Sequence, residues 1–524
     1  MKRRPITMPA GISQILCIFI LVSAIAFIAG CSEIRGTADK TGTLVPVSVA
    51  SGLTTIPSPL PDPSAKIVNV TPDTDHPGGR IPADFLGLSY EAPQMNNRAF
   101  YPNATSYINL LRNLGPGVLR FGGNSVEFTY FIDNGTTSIP GARGIIHPSD
   151  LDRVFSFARQ AGWKVILGLD LGHYNPGMAA DEAAYADAHS QGQLLVFEIG
   201  NEPDLYMKNG LRPPSWNYTD FHREFDASKA AIRARDPGAP ISGPVTAGNL
   251  DFFRRFVNDE GGDIVFSSNH MYPLIFSPDM TPSQPRYATV GHLLSDATYS
   301  REKAEIGQFS AAAAGAEVPL RYAETNTATS GREPRGFHDN VSDTFAASLW
   351  TADYLGLLAD SGITGANFHG GFSRGGYSPL WYDGTTYRPS AEYYGMLLFR
   401  QLGTGNSIPI SLDSSANISV HGVRNDDGTL RLLIINRDEH APISIAIPDR
   451  DSTTASVMRL SAPSATATGN ITVGGAEVST DGTWQPKVIE EAFPQDQKVR
   501  IFLPAASAAL VTLPSPLPVI FAGM

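Results

Sequence analysis

Two glutamates at the ends of strand-like runs are the residues best placed to do chemistry. The run Phe197-Glu198-Ile199-Gly200-Asn201-Glu202-Pro203 continues an apolar stretch from Leu194, ends in an Asn-Glu pair and is stopped by proline. A carboxyl at the end of a buried strand, beside an amide that donates hydrogen bonds, suits the general acid of a sugar-cleaving enzyme. That chemistry needs a second carboxylate across the scissile bond. Leu320-Arg321-Tyr322-Ala323-Glu324-Thr325-Asn326 offers one, again at the end of a strand-like run. One carboxyl protonates the glycosidic oxygen while the other attacks the anomeric carbon; in a retaining enzyme the two stand about 5–5.5 Å apart. The acid of such a pair must hold its proton at working pH, which burial and the second negative charge favour.

Only a closed architecture can bring residues so distant in sequence together. Eight strand candidates are present, at 85–91, 118–123, 164–170, 194–200, 240–245, 264–272, 319–325 and 365–371. Stretches of helical period fall between them, at 149–161, 217–235 and 342–361, and 391–402 closes the series. Strand–helix alternation of this length predicts an α/β fold, a (β/α)8 TIM barrel over residues 66–404. An open doubly wound sheet is the fallback, but the glycine-rich dinucleotide turn is missing after the first strand. In a barrel the strand C-termini share one mouth, and Glu202 and Glu324 follow the fourth and seventh strands. From 405 to 524, short strands separated by Gly, Asp, Asn and Ser turns predict a C-terminal β-sandwich, with 66–78 a candidate extra strand.

With both motifs in place the chain resembles the retaining glycoside hydrolases of clan A, and more narrowly glycoside hydrolase family 79, the heparanase and β-glucuronidase family. The resemblance rests on Val118-Leu119-Arg120-Phe121-Gly122-Gly123, Glu198–Pro203, Ala323–Asn326, Ser342-Asp343-Thr344-Phe345-Ala346-Ala347, and Gly376-Tyr377 followed by Tyr393 and Leu397–Phe399. It implies Glu202 as acid/base and Glu324 as nucleophile. Asn201 matches the amide that holds the sugar 2-hydroxyl, and Tyr272, in His270-Met271-Tyr272, a tyrosine that hydrogen-bonds the nucleophile. Glu91 matches a carboxylate that grips a hydroxyl at the non-reducing end, which implies exo action. Arg120 is expected to keep Glu324 ionised, with His270 in support. For a uronate carboxylate the resemblance implies Tyr377 and the backbone N–H of Gly331. The family's second tyrosine falls at Thr329, where only a shorter hydroxyl is available, and Arg332 or Arg335 is the expected compensation.

The N-terminus reads as a lipoprotein signal peptide, residues 1–30. Lys2, Arg3 and Arg4 precede an uncharged apolar run from Ile15 to Ile28, and Ile28-Ala29-Gly30-Cys31 resembles a lipobox that makes Cys31 the lipidated mature N-terminus. The expected location is therefore the bacterial cell envelope, anchored at the outer membrane or cell surface. Residues 31–65, rich in Ser, Thr, Pro and Gly, are expected to be a flexible tether. Of the 2 cysteines, Cys17 leaves with the signal, so no disulfide is expected. The formal charge of −12, more negative once the basic N-terminus is removed, argues against nucleic acid as a partner.

The partner expected is an oligosaccharide or glycoconjugate, cleaved at β-linked glucuronic acid. Other sugars keep the same two glutamates: a neutral β-glycoside, an arabinofuranoside, or an endo cut in an acidic polysaccharide. A glycan-binding lipoprotein that has lost turnover is the reading from another class. No metal or cofactor is implied, since His173, His270, His338 and His369 show no zinc-like spacing.

Overall fold

The computed structural model describes residues 52–514, apart from 60, 61, 63, 64, 134, 137, 331–339 and 450–452. Eight parallel strands close into a barrel: β1 (Leu86–Glu91), β2 (Gly117–Gly122), β3 (Trp163–Leu169), β4 (Leu194–Ile199), β5 (Ile241–Thr246), β6 (Ser267–Met271), β7 (Leu320–Thr325) and β8 (Ala366–His369). Ala366–His369 pairs with Leu86–Ser89 to complete the ring. Every strand that the apolar runs predict is present. The reason is physical: barrel strands are covered on both faces, so they read as continuous apolar segments rather than alternating ones.

The surrounding helices follow the same logic. Pro148–Ala161 buries Leu151, Val154, Phe155, Phe157 and Ala158, and ends at Gly162, whose φ of 75° suits a left-handed cap. Helix Phe345–Asp360 is different, being buried from Phe345 through Ala359. A helix apolar all round must be covered all round; this one makes hydrogen bonds and ion pairs with sandwich residues through Asp353 and Asp360.

The C-terminal sheets explain the tail of the sequence. One sheet runs from Val488–Ala492 through Ala455–Ser461, Ser507–Leu513, Leu430–Asn436 and Ile418–Asn425 to Gly405–Ile408; the second joins Ile410–Leu412, Lys66–Pro72, Ile443–Pro448 and Lys498–Leu503. Leu432 and Ile434 face the core between these sheets with Val68, Ile445 and Ile501. Their neighbours Leu433 and Ile435 join the barrel's apolar core on the other face. Lys66–Pro72 pairs in parallel with Ile443–Pro448 and antiparallel with Ile410–Leu412, so a segment preceding the barrel belongs to the sandwich sheets.

The expected tether needs correcting. Within it, Thr54–Pro57 is an edge strand paired in parallel with Val488–Glu491. Its Thr-Thr-Ile core has strong β propensity, which a composition average over the surrounding Ser and Pro conceals. Residues 1–51, with the signal peptide and Cys31, and the apolar tail from 515 lie outside the described residues. Among those described, no helix is long and apolar enough to cross a membrane.

Candidate active site

The turn after β4 places Glu202. Gly200 takes φ 81° and Glu202 φ 52°, two left-handed residues that break the strand sharply before Pro203. A Cβ at position 200 would lie 2.6 Å from the Tyr206 hydroxyl, so glycine is needed there for space as well as conformation. The Glu202 N–H donates to the Val245 carbonyl at 2.9 Å, tying this turn to β5. A non-glycine residue held at positive φ is a strained one, and such strain collects at functional sites.

Glu324 ends β7, buried and doubly held. Tyr272 donates its hydroxyl to Oε1 at 2.8 Å, and Arg120 Nη1 donates to Oε2 at 2.9 Å. His369 Nδ1 lies 3.7 Å and His270 Nδ1 3.9 Å from Oε2. Burial raises the pKa of this carboxyl, but His369, His270, Arg120 and the Tyr272 hydroxyl outweigh it and hold the group well below the usual carboxylate range. Glu324 therefore stays ionised, as a nucleophile must.

The two carboxyls stand close together. His270 Nδ1 lies 3.0 Å from Glu202 Oε1, and oxygens of Glu202 and Glu324 lie within 4.8 Å of each other and of a His270 nitrogen. His270 Nε2 is buried with no hydrogen-bond partner among the described residues. In a second three-donor cluster, His222, Asp226 and Glu260, Lys229 pairs with both carboxylates. In the first cluster Arg120 and Tyr272 occupy Glu324's oxygens.

Arg120, fully buried on β2, is the hub. Nε donates to Glu198 at 2.6 Å, Nη1 to Ser89 Oγ at 3.1 Å as well as to Glu324, and Nη2 to Asn201 Oδ1 at 2.9 Å. A guanidinium has only donors, so it fixes the Asn201 amide with oxygen towards Arg120 and Nδ2 turned away, 3.4 Å from Asn124 Oδ1. At the rim, Glu91 accepts from the Ser125 N–H at 2.8 Å and from its hydroxyl, and lies 3.6 Å from His369 Nε2. Burial opposes its charge, yet His369 and Ser125 lower the Glu91 pKa.

The structure thus brings Glu202, Glu324, Asn201, Arg120, His270, Tyr272 and Glu91 to one mouth. Tyr377 stands beside them, its ring 6.0 Å from that of Tyr272 and 6.3 Å from that of His369. Thr329 lies on the short strand Ala328–Ser330, opposite Ile275. Gly331, Arg332 and Arg335 lie outside the described residues. Sequence reasoning passed over Ser89, Glu198 and Glu127, and named His369 only among the histidines without zinc-like spacing. Glu198 carried a signal: a charged residue within an apolar strand, like Arg120, marks a buried ion pair. His369 sits at a strand end, but its partners Ser89 and Glu91 are remote in sequence.

Comparison with known proteins agrees with this architecture. Residues 415–510 match the family model of the glycosyl hydrolase family 79 C-terminal beta domain. A β-glucuronidase of Neurospora crassa is 23% identical over 501 residues, covering 80% of this chain and 83% of the relative. One from Aspergillus niger is 24% identical over 411 residues, covering 67% and 71%. The structure of a 4-O-α-L-rhamnosyl-β-D-glucuronidase from Fusarium oxysporum superposes with a TM-score of 0.71 at 19% identity, over 88% of this chain and all of that one. With a closed eight-strand barrel, a C-terminal domain that matches the family 79 model and these relatives, the chain is a glycoside hydrolase.

Proposed function

We propose that this enzyme is a retaining, exo-acting β-glucuronidase. The observation that carries the reading is the pair of carboxyls at the ends of β4 and β7, with oxygens within 4.8 Å of one another. That separation suits direct attack and leaves no room for the water that an inverting enzyme seats between its carboxyls.

The reaction then runs in two displacements. Glu324 attacks the anomeric carbon as the bond from that carbon to the leaving oxygen breaks, and Glu202 gives its proton to that oxygen. A water then loses its proton to Glu202 and attacks the same carbon, releasing Glu324 as a carboxylate. Asn201, turned by Arg120 to present its NH2, donates to the sugar 2-hydroxyl, a contact that strengthens as the oxocarbenium-like transition state forms. Glu91 and His369 close the far side of the pocket and support exo action. The β-glucuronidase relatives and the proximity of Tyr377 support glucuronate as the sugar.

A panel of aryl glycosides tests this. Cleavage of the β-glucuronide, with β-glucoside, β-galactoside and arabinofuranoside left intact, is expected; cleavage of a neutral sugar instead overturns the sugar assignment. Oligosaccharide binding without any turnover favours the non-catalytic reading.

The cell-envelope placement is part of the same proposal and rests on the lipobox-like Ile28–Cys31. If Cys31→Ala leaves membrane attachment unchanged and the mature N-terminus carries no acyl group, the lipid anchor is wrong.

A further inference from the structure

Beside the candidate site, and unused by the mechanism above, sits a buried carboxylate on the turn that follows β2. Glu127 lies in the short 3-10 helix Val126–Phe128 and is 1% exposed. Each of its oxygens is filled twice. Oε1 accepts the Asn201 N–H at 2.6 Å and the Tyr206 hydroxyl; Oε2 accepts the N–H groups of Leu171 at 3.0 Å and Gly172 at 2.6 Å.

Those four donors come from the chain just beyond the ends of β3 and β4. Glu127 therefore ties two barrel strand ends together, and the backbone it grips at β4 is that of Asn201. The side chain of Asn201 is held from β2 as well, by Arg120. One strand and its following turn thus grip Asn201 twice, Arg120 by the amide oxygen and Glu127 by the main chain.

We infer that Glu127 is a positioning residue for the sugar 2-hydroxyl: its carboxylate fixes the backbone of Asn201, and with it the direction of the amide that contacts the substrate.

A purely packed contact would not need a charge here. Burial, with Asp170 beside it, pushes the Glu127 carboxyl up to about 7, against the pull of Tyr206 and the backbone donors. An apolar side chain would avoid that cost, but only a carboxylate supplies two acceptor atoms for four converging donors. Glutamine is the informative substitution. It keeps the shape, offers one acceptor atom in place of two, and turns an NH2 towards groups that also donate.

The inference rests on the proposed role of Asn201, so the test reads that contact directly. Aryl β-glucuronide and its 2-deoxy analogue are compared by kcat/KM in the full-length enzyme. Wild type is expected to prefer the 2-hydroxy substrate on the order of 10²–10⁴-fold, since that contact supplies several kcal/mol in the transition state. In Glu127→Gln the preference is expected to fall about 10-fold or more, mostly in kcat. Tyr206→Phe removes one of the four donors and is expected to shift the ratio the same way by less; it serves if Glu127→Gln does not fold.

If folded variants lose activity equally on both substrates, leaving the ratio at the wild-type value, Glu127 is only a structural staple and the inference is overturned. If wild type instead cleaves a different aryl glycoside of the panel, the glucuronide reading fails separately. The ratio is then measured on that sugar and its 2-deoxy partner, with the same expectations for Glu127.

Discussion

One buried ionic network sits at the barrel mouth and another between the barrel and the sandwich sheets. The first centres on Arg120, the second on Asp353 of helix Phe345–Asp360. Asp353 accepts from Arg437 at 2.9 Å and from the Ser419 hydroxyl at 2.5 Å, and lies 2.8 Å from His421 Nε2; the other ring nitrogen of His421 lies 2.7 Å from Asp360. Arg437 continues to the Asn417 side chain at 3.0 Å and stacks over Tyr299. That network closes on itself. The one around Arg120 does not: a Glu198 oxygen and His270 Nε2 have no partner among the described residues, and Glu202 shares only His270. Both networks meet the cost of burying charge by pairing it. What separates them is that the open one keeps unpartnered polar atoms beside Glu202 and Glu324, while the closed one joins two parts of the fold.

The comparison is broken most directly by removing one carboxylate from each. Glu324→Gly is expected to lose about 10⁴-fold or more in kcat/KM, as removal of a covalent nucleophile does, while Arg120 keeps its pair with Glu198 and melting changes little. Azide should then restore turnover by taking the empty place and yield a glycosyl azide of inverted anomeric configuration. Ordinary activity in Glu324→Gly would show the nucleophile to be misassigned. Asp353→Ala should do the reverse, lowering Tm sharply and leaving kcat/KM of the surviving fold near wild type.

Substituting the two arginines makes a closer match. Arg120→Met strands Glu198 and Arg437→Met leaves Asp353 with His421 and Ser419 alone, and removing one partner of a buried pair costs about 3–5 kcal/mol. Similar losses in denaturant midpoint are expected. Only Arg120→Met should also cut kcat/KM by about 100-fold or more, since Glu324 loses a charge that keeps it ionised and Asn201 loses its orientation. Equal activity loss in both variants would mean that the effect travels through stability alone.

How much of this could be read in the sequence depends on what kind of partner a residue has. Barrel strands were legible because burial on both faces writes itself as an apolar run, and Arg120 drew notice inside such a run while Glu198, which carries the same signal, was passed over. Val488–Ala492 was missed as a strand because Glu490 and Glu491 interrupt its pattern; Glu490 is nonetheless buried, paired with Arg459. Glu127 left no trace. It lies in a turn, and three of its four donors are main-chain N–H groups, which every residue but proline carries. Contacts made to backbone are invisible to any reading of side-chain types.

The closed network also carries a pH signature of its own. Burial works against charge on His421, but Asp360 and Asp353 raise its pKa to about 9, above the ordinary 6.5. A histidine raised on folding contributes stability that is fully present below pH 6.5 and is lost as pH climbs through about 9. That contribution is at most about 3 kcal/mol. The Tm gap between wild type and His421→Gln should accordingly be widest near pH 6 and close by about pH 9.5. A gap that stays constant across this range would show the ring to act by packing and not by charge.

The smallest expected effect bears on what the open network is open to. Thr329 stands where the family's second uronate-binding tyrosine falls, on a short strand beside Leu274–Phe276 that begins two residues after Tyr272. Backbone pairing fixes the register of Ala328–Ser330, so Thr329→Tyr changes the side chain without moving the strand. A phenol there carries its hydroxyl further from the backbone than a threonine does. If the substrate carries a C6 carboxylate, an added neutral donor is worth roughly 0.5–1.5 kcal/mol, a fall in KM of about 2- to 10-fold on the aryl glucuronide. On the matching glucoside, which has a hydroxymethyl group in that place, KM should stay the same or rise. A gain on both sugars would mean that the tyrosine adds contact area alone, and the carboxylate would then have to be read by another part of the pocket.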